Sequence, residues 1–326
     1  MVGHDILFVP IRVAFEGTHV QGNIIRIGTR GSPLALAQAR EVRSRLMAAH
    51  GLSEDAFEIV VITTSGDTVV DRPLSEVGGK GLFTKELETA LFERRIEIAV
   101  HSMKDMATKL PDGLIIGAAL PREDVRDAFI SLNYSTISEL PENAVVGTSS
   151  LRRRAQVLKI RPDVRVIEFR GNVQTRLKKL AEGMADATFL ACAGLKRLGM
   201  HDRITAIVEI DEMLPAVAQA AVGVQLRADD EETNILLAPL NDEETAICVA
   251  CERSFLARLE GSCRTPIGGL ATYNNGIIEL RGQILSLDGS QSYEGSRGGP
   301  AQKAAQIGDA LGSELLEAAG PGFLST

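Results

Sequence analysis

Three kinds of residue in this chain have chemistry to offer: a loop cysteine, an aspartate at the end of a strand, and arginines placed just ahead of helices. The stretch from Leu259 to Gly269 reads Leu-Glu-Gly-Ser-Cys-Arg-Thr-Pro-Ile-Gly-Gly. A helix-period run ending at Leu259 stops at Gly261, and Pro266, Gly268 and Gly269 hold off regular structure until Leu270. Cys263 is therefore predicted on a loop, where Arg264 beside it favours the thiolate, the nucleophilic form. Taken alone, the same cysteine could simply fill a turn. In Ala99-Val-His-Ser-Met-Lys-Asp105 the acid closes a strand, and in open α/β sheets reacting groups gather at that end. Lys104 next to it can pair with a substrate or with solvent.

Arg30 falls between a strand and a helix, Arg152, Arg153 and Arg154 open a second helix, and Arg170 and Arg176 bracket the Gly171-Asn172 turn into a third. Helix N-termini already favour anions through their free N–H groups. The guanidinium fork adds charged hydrogen bonds to carboxylates or phosphates, each contributing on the order of 1.5–3 kcal/mol. Any one of these side chains could be a solvated surface group. The set points to a small polyanion. Cys248-x-x-Cys251 has metal-like spacing but lies in a helical run where Ile247, Cys251 and Phe255 share a face. With no second pair and no spaced histidines, core packing and no metal are expected. His101 is expected to be a hydrogen-bonded residue at a strand end.

The totals bound these readings. A chain of 326 residues holds two or three domains, and 44% hydrophobic with 24% charged residues is ordinary for a globular protein. A net charge of −8 argues against a nucleic-acid binder, so any cationic site is local. Four cysteines, unevenly placed, do not make a disulfide framework, which points to a reducing compartment. Residues 1–23 lack the basic start and unbroken apolar run of a signal peptide, and no stretch is apolar enough to span a bilayer. The expected location is the cytoplasm, with no membrane partner and an N-terminal extension.

From Ile24 onward, short apolar runs alternate with amphipathic ones, the pattern of an α/β protein with largely parallel sheets. Strands are predicted at Ile24 to Gly28, Phe57 to Thr63, Ile98 to His101, Leu114 to Ala118 and Ala128 to Leu132. Ser32 caps a helix from Pro33 to Gly51, and another helix has Leu87, Ala90 and Leu91 on one face. The middle of the chain repeats the plan: strands at Val145 to Gly147, Val164 to Phe169 and Thr188 to Ala191, and helices at Ser150 to Arg161 and Asn172 to Glu182. Gly28-Thr-Arg-Gly-Ser and Gly147-Thr-Ser-Ser form a weak internal echo that suggests two similar lobes around a cleft. The acidic run Asp229 to Glu232 with Pro239 reads as a linker, and Asn241 with Glu244 as a capping box for a helix reaching Leu259. Asn274-Asn275-Gly276 marks a hairpin, and Asp288-Gly289 a second turn. Gly295, Gly298 and Gly299 read as a mobile connection to a last helix at Ala301 to Ala318.

Six runs stand out: Gly28-Thr-Arg-Gly-Ser-Pro-Leu-Ala-Leu, Gly78-Gly-Lys-Gly-Leu-Phe-Thr-Lys-Glu-Leu, Ala99-Val-His-Ser-Met-Lys-Asp, Gly147-Thr-Ser-Ser-Leu-Arg-Arg, Arg170-Gly-Asn-Val-Gln-Thr-Arg and Glu260-Gly-Ser-Cys. Together they resemble the porphobilinogen deaminase (hydroxymethylbilane synthase) family. The resemblance implies three α/β domains, the first two doubly wound, periplasmic-binding-protein-like and set around a cleft. On that plan 24–120 and 221–238 form domain 1 with the catalytic aspartate, 121–220 form the arginine-rich domain 2, and 239–326 form a small domain 3 carrying the cysteine. It implies a transferase that joins four porphobilinogens head to tail, with loss of ammonia, on a covalent dipyrromethane cofactor, and then releases hydroxymethylbilane. It further implies a monomer.

By the same resemblance the cofactor is a thioether on Cys263 and the catalytic acid is Asp105. Ser102, Lys104, Thr148, Ser149, Ser150, Arg152, Arg153, Arg170 and Asn172 contact the cofactor. Arg30, Ser32, Lys80, Arg176 and Gln219 contact substrate. Where the family usually shows Gly-Gln-Gly, this chain has Ala218-Gln219-Ala220, which strains the backbone if φ is positive there. Glu76 stands where some members carry a cleft lysine, Val125 replaces a common proline, and Ser262 a common glycine. A non-catalytic two-lobed anion-binding module would also explain the arginines, but it has no need of a loop cysteine in a third domain.

Overall fold

The computed structural model describes residues 24–68, 81–261 and 265–324. They fall into two compact units. One takes in the described residues of Met1–Val69, Gly79–Arg122 and Ala221–Ala246, the other those of Glu123–Ala220 and Ile247–Thr326.

In the first unit the helix Pro33–His50 starts where the sequence signals it: Pro33 occupies its first turn, Ser32 Oγ accepts from Ala35 N–H at 3.3 Å, and Gly51 closes it at φ 65°. Its buried stripe of Ala35, Ala39, Val42 and Leu46 keeps helical spacing, and the last three pack on a sheet core of Ile27, Phe57, Ile98, Val100 and Val224. The opposite sheet face is covered by Leu87, Ala90 and Leu91 of the helix Lys85–Phe92. Strands Phe57–Val61, Ile25–Thr29 and Ile98–Ser102 run parallel. Val222–Arg227 lies antiparallel between Ile98–Ser102 and Leu114–Ala119.

The second unit repeats that sheet. Arg165–Ile167, Val145–Gly147 and Ala187–Ala191 are parallel, and Asp127–Ser131 is antiparallel between Ala187–Ala191 and Ala206–Val208. The helices Leu151–Ile160 and Val173–Ala181 are capped by Ser150 and Asn172. A further antiparallel sheet of Ile267–Asn274, Ile277–Leu285 and Ser292–Pro300 completes the unit. The expected turn joins its first two strands, with Asn275 at φ 49° and Gly276 at φ 82°. The helix Glu243–Arg258 buries Cys248 and Cys251 in the core, and burial pushes the Cys251 thiol up to about 12.

Three expectations need correcting. The acidic run is a helix start: Asp230 caps Glu231–Leu237 by accepting from Thr233 N–H at 3.1 Å, and Leu236, Leu237 and Leu240 enter the first core. Acids favour the positive end of a helix dipole, so their clustering marks an N-terminus as readily as a linker. The next helix is capped by Asp242, which accepts from Thr245 N–H at 2.8 Å, because Asn241 is engaged with Ala119 N–H at 3.0 Å. Gly295, Gly298 and Gly299 lie inside the strand Ser292–Pro300. A Cβ at Gly295 would sit 3.1 Å from Leu311 and one at Gly299 3.2 Å from Ile307, so these glycines let the helix Ala304–Ala319 pack closely. Among the described residues no helix is long and apolar enough to cross a membrane.

Candidate active site

In the first unit the central parallel strand Ile98–Ser102 ends in the tight turn Met103–Asp105. Met103 is buried and its N–H donates to Ala221 O at 3.0 Å, which anchors the turn to the sheet. Asp105 thereby lines a pocket with Arg30, Ser32, Gln38, Phe83 and Ser102. Lys104 lies on the same turn. Gln38 Nε2 donates to Ser102 Oγ at 2.9 Å. His101 also borders the pocket, its Nε2 3.1 Å from Gln225 Oε1. Burial pushes its imidazole down to about 4, with the Arg30 charge acting in the same direction, so the ring is neutral near pH 7.

Arg30 is not loose in this pocket. Its Nη2 meets Asp67 Oδ1 at 2.5 Å, its Nε lies 3.2 Å from both Asp67 oxygens, and its guanidinium sits 4.1 Å from the Phe83 ring centroid. Burial alone would raise the Asp67 carboxyl, but the hydrogen bonds from Arg30 and Thr64 outweigh it and hold the group below its ordinary range.

In the second unit the segment between Gly147 and the helix Leu151–Ile160 carries three hydroxyls facing backbone donors. Thr148 Oγ1 accepts from Ser150 N–H at 3.2 Å, Ser149 Oγ from Phe169 N–H at 3.1 Å, and Ser150 Oγ from Arg153 N–H at 3.4 Å. A hydroxyl that accepts from the backbone still has its own proton to donate. Arg152 and Arg153, by contrast, turn inward. Arg152 Nη2 and Arg153 Nη2 each reach Asp127 at 2.7 Å, while their Nη1 atoms donate to Leu214 O at 2.7 Å and Phe189 O at 2.8 Å. Gln219 joins them, its Nε2 2.9 Å from Asp127 Oδ1 and 2.8 Å from Val125 O. Asp127 is 0% exposed. Burial would raise its carboxyl, but the two guanidinium charges outweigh this and hold it ionised, well below the usual range. The Nε atoms of both arginines are buried with no partner among the described residues.

Nearby, Asn172 Oδ1 accepts from Thr175 N–H at 2.9 Å, and Arg176 Nε donates to Gly171 O at 2.8 Å, so Arg170, Asn172 and Arg176 flank one helix start. Ala218 and Ala220 adopt φ 58° and 72°, the left-handed region. Cys263, Arg264, Ser262, Lys80, Glu76 and residues 1–23 lie outside the described residues.

The structure thus collects Arg30, Ser32, Ser102 and Asp105 in one pocket of the first unit. In the second it gathers Thr148, Ser149, Ser150, Arg152, Arg153 and Gln219 around one segment and Asp127. Two acids were missed. Asp67 follows a strand end, the same cue that singled out Asp105, and Asp127 opens an apolar strand, where a buried charge needs a partner. No group of three or more metal-ligating side chains occurs among the described residues. Hydroxyl protons and arginines at strand ends suit a group bearing several carboxylates.

The fold and these residues define an α/β protein with two like sheets whose strand ends carry a carboxylate, hydroxyls and arginines. Family models agree in detail: "Porphobilinogen deaminase, dipyromethane cofactor binding domain" matches residues 25–235, and "Porphobilinogen deaminase, C-terminal domain" matches residues 246–317. The chain is 62% identical over 293 residues to the porphobilinogen deaminase of Paracoccus denitrificans, covering 90% of this chain and 94% of that one. It is 54% identical over 325 residues to the chloroplastic porphobilinogen deaminase of Oryza sativa subsp. japonica, covering 97% and 91%. Among solved structures it is similar to a nutrient binding protein from Burkholderia cenocepacia bound to methionine, with a TM-score of 0.42 and 11% identity over 67% of this chain and 90% of that one. The chain belongs to the porphobilinogen deaminase family. It is a transferase of porphyrin biosynthesis that condenses porphobilinogen, with release of ammonia, and uses a dipyrromethane cofactor.

Proposed function

We propose that Asp105 is the catalytic residue of this condensation and that Cys263 carries the cofactor through a thioether. The observation that carries the first part is the position of Asp105 at the carboxyl end of the central parallel strand, in one pocket with Arg30, Ser32 and Ser102. The dipyrromethane supplies the pyrrole carbon to which the first porphobilinogen is joined. Loss of ammonia from porphobilinogen leaves a cation; the Asp105 carboxyl assists departure of the amine as an acid, stabilises that cation as a carboxylate, and takes back the proton that the attacking pyrrole carbon sheds once the new carbon–carbon bond has formed. A fixed positive charge in its place would oppose the cation.

Arg30, Ser32, Lys80, Arg176 and Gln219 act on the incoming substrate, Gln219 by shaping its segment since its own amide is held by Asp127. Ser102, Lys104, Thr148, Ser149, Ser150, Arg170 and Asn172 hold the cofactor carboxylates. Arg152 and Arg153 share one Asp127, leave a net positive charge at a helix start, and act on those carboxylates electrostatically rather than by releasing their Nη groups. The protein works as a cytoplasmic monomer in three domains, with 239–326 carrying Cys263. Intact-mass measurement tests the central assignment: the purified protein should exceed its sequence mass by one dipyrromethane, and Cys263→Ser should abolish the increment. An adduct located by digestion on Cys248 or Cys251 would refute the loop assignment.

A further inference from the structure

Arg30 is clamped by residues outside the sequence run that contains it. Asp67 sits on the short helix Ser65–Thr68, and its carboxylate takes the Nε–H and an Nη2–H of Arg30 while accepting from the Thr64 hydroxyl at 2.7 Å. That helix is pinned in turn, with Gly66 N–H donating to Leu82 O at 2.8 Å and Ser65 N–H to Glu86 Oε1 at 2.9 Å. A Cβ on Gly66 would fall 2.2 Å from the Phe83 ring, so the missing side chain is what lets that ring pack against the turn while facing the guanidinium. Asp67 thus takes one edge of Arg30. Nη1, on the other edge, has no hydrogen-bond partner among the described residues, and Arg30 lines the pocket of Asp105.

We propose that Asp67 is a positioning residue for substrate binding: it locks the Arg30 guanidinium so that the Nη1 edge meets a carboxylate of the incoming porphobilinogen, without itself touching the reacting atoms. The inference rests on the assignment of Arg30 to substrate made above. Removing Asp67 has two opposed consequences. Loss of the clamp weakens binding, whereas loss of the negative charge strengthens the pull of Arg30 on an anion. Asp67→Asn and Asp67→Ala share the second effect, but only asparagine keeps an oxygen that can accept from Arg30. The ratio between the two variants therefore isolates the clamp.

The test is steady-state kinetics on cofactor-loaded protein for both variants, each with Arg30 intact and with Arg30→Ala, and with loading checked by intact mass. The KM for porphobilinogen should be roughly fivefold higher in Asp67→Ala than in Asp67→Asn, about the effect of one hydrogen bond. The kcat of the two should agree within about twofold, since binding alone is altered. The difference in KM should vanish in the Arg30→Ala background. Equal KM values in the two variants, or a difference that persists without Arg30, overturns the proposal. If Arg30→Ala alone leaves KM unchanged, the assignment of Arg30 fails and the inference with it. A raised KM in Arg30→Ala with equal values for the two Asp67 variants defeats the role of Asp67 alone.

Discussion

Each unit places an aspartate against arginine near the start of a helix, and the two arrangements differ in burial. Arg30 and Asp67 are 22% and 25% exposed, whereas Arg152, Arg153 and Asp127 are 4%, 6% and 0% exposed. In the first unit one edge of the guanidinium remains for a ligand. In the second, all four Nη atoms of the arginine pair are bound to protein oxygens. A buried ion triad is costly to assemble and still costlier to break, because removing one member leaves an uncompensated charge away from water. The same pair of residue types therefore leaves a guanidinium edge open where water reaches it and closes on protein oxygens where water does not.

The largest effect expected is on turnover. Asp105→Asn should retain the fold and cofactor loading while lowering the rate of single-turnover porphobilinogen addition by on the order of 10²–10⁴-fold. Asp105→Glu should keep part of the activity. A correctly loaded asparagine variant that elongates at the wild-type rate would move the chemistry elsewhere, with Lys104 and Glu260 the next residues to test.

The contrast between the two arginine sites predicts unequal stability costs. Asp127→Ala should lower the unfolding free energy in urea by about 3–5 kcal/mol, the cost of stranding buried charges. Asp67→Ala, at a partly exposed pair, should cost less than about 1 kcal/mol. Similar losses at both positions would erase the distinction drawn here.

Acid should separate the units as well. The imidazole of His101, ordinarily near 6.5, titrates at about 4 in the folded protein because it is buried. The unfolded chain therefore takes up this proton first as the pH falls. The contribution of His101 is complete above pH 6.5 and shrinks as the pH drops toward 4, by a total of about 3 kcal/mol. The Asp127 carboxyl is lowered, so its contribution persists above the ordinary carboxylate range and is lost only in stronger acid. Melting temperature should fall between pH 6.5 and 4, and His101→Gln should flatten that slope. An unchanged slope would mean that other groups set it.

The smallest effect concerns the backbone. Ala218 and Ala220 hold left-handed conformations that disfavour a Cβ, fixed in place by the bonds from Ala218 N–H to Glu252 Oε2 at 2.5 Å and from Arg197 Nη1 to Ala220 O at 3.0 Å. Ala218→Gly and Ala220→Gly should each stabilise the protein by up to about 1 kcal/mol, read as a higher urea midpoint. A lower midpoint would show that this segment tolerates the left-handed form without strain.

The alternation of strands and helices, the cap at Ser32, the helix starts at Ser150 and Asn172, the hairpin at Asn275-Gly276 and the family motifs were all legible in the sequence, because each depends on residues a few positions apart. The family resemblance also marked Asp105 as the acid of interest, and it named arginines that lie beside helix starts. What those arginines do locally was not legible. Arg30 finds Asp67 across 37 positions, and Arg152 finds Asp127 across 25. Burial then decides whether such a pair keeps a donor for a ligand or closes on itself. The strand Val222–Arg227 joins a sheet begun some two hundred residues earlier, and the acidic stretch behind it became a helix only because Leu236 and Leu237 had a core to enter. Local periodicity and capping are properties of neighbouring residues. Charge pairing, desolvation and strand order are properties of distant segments brought together, and only the tertiary structure supplies them.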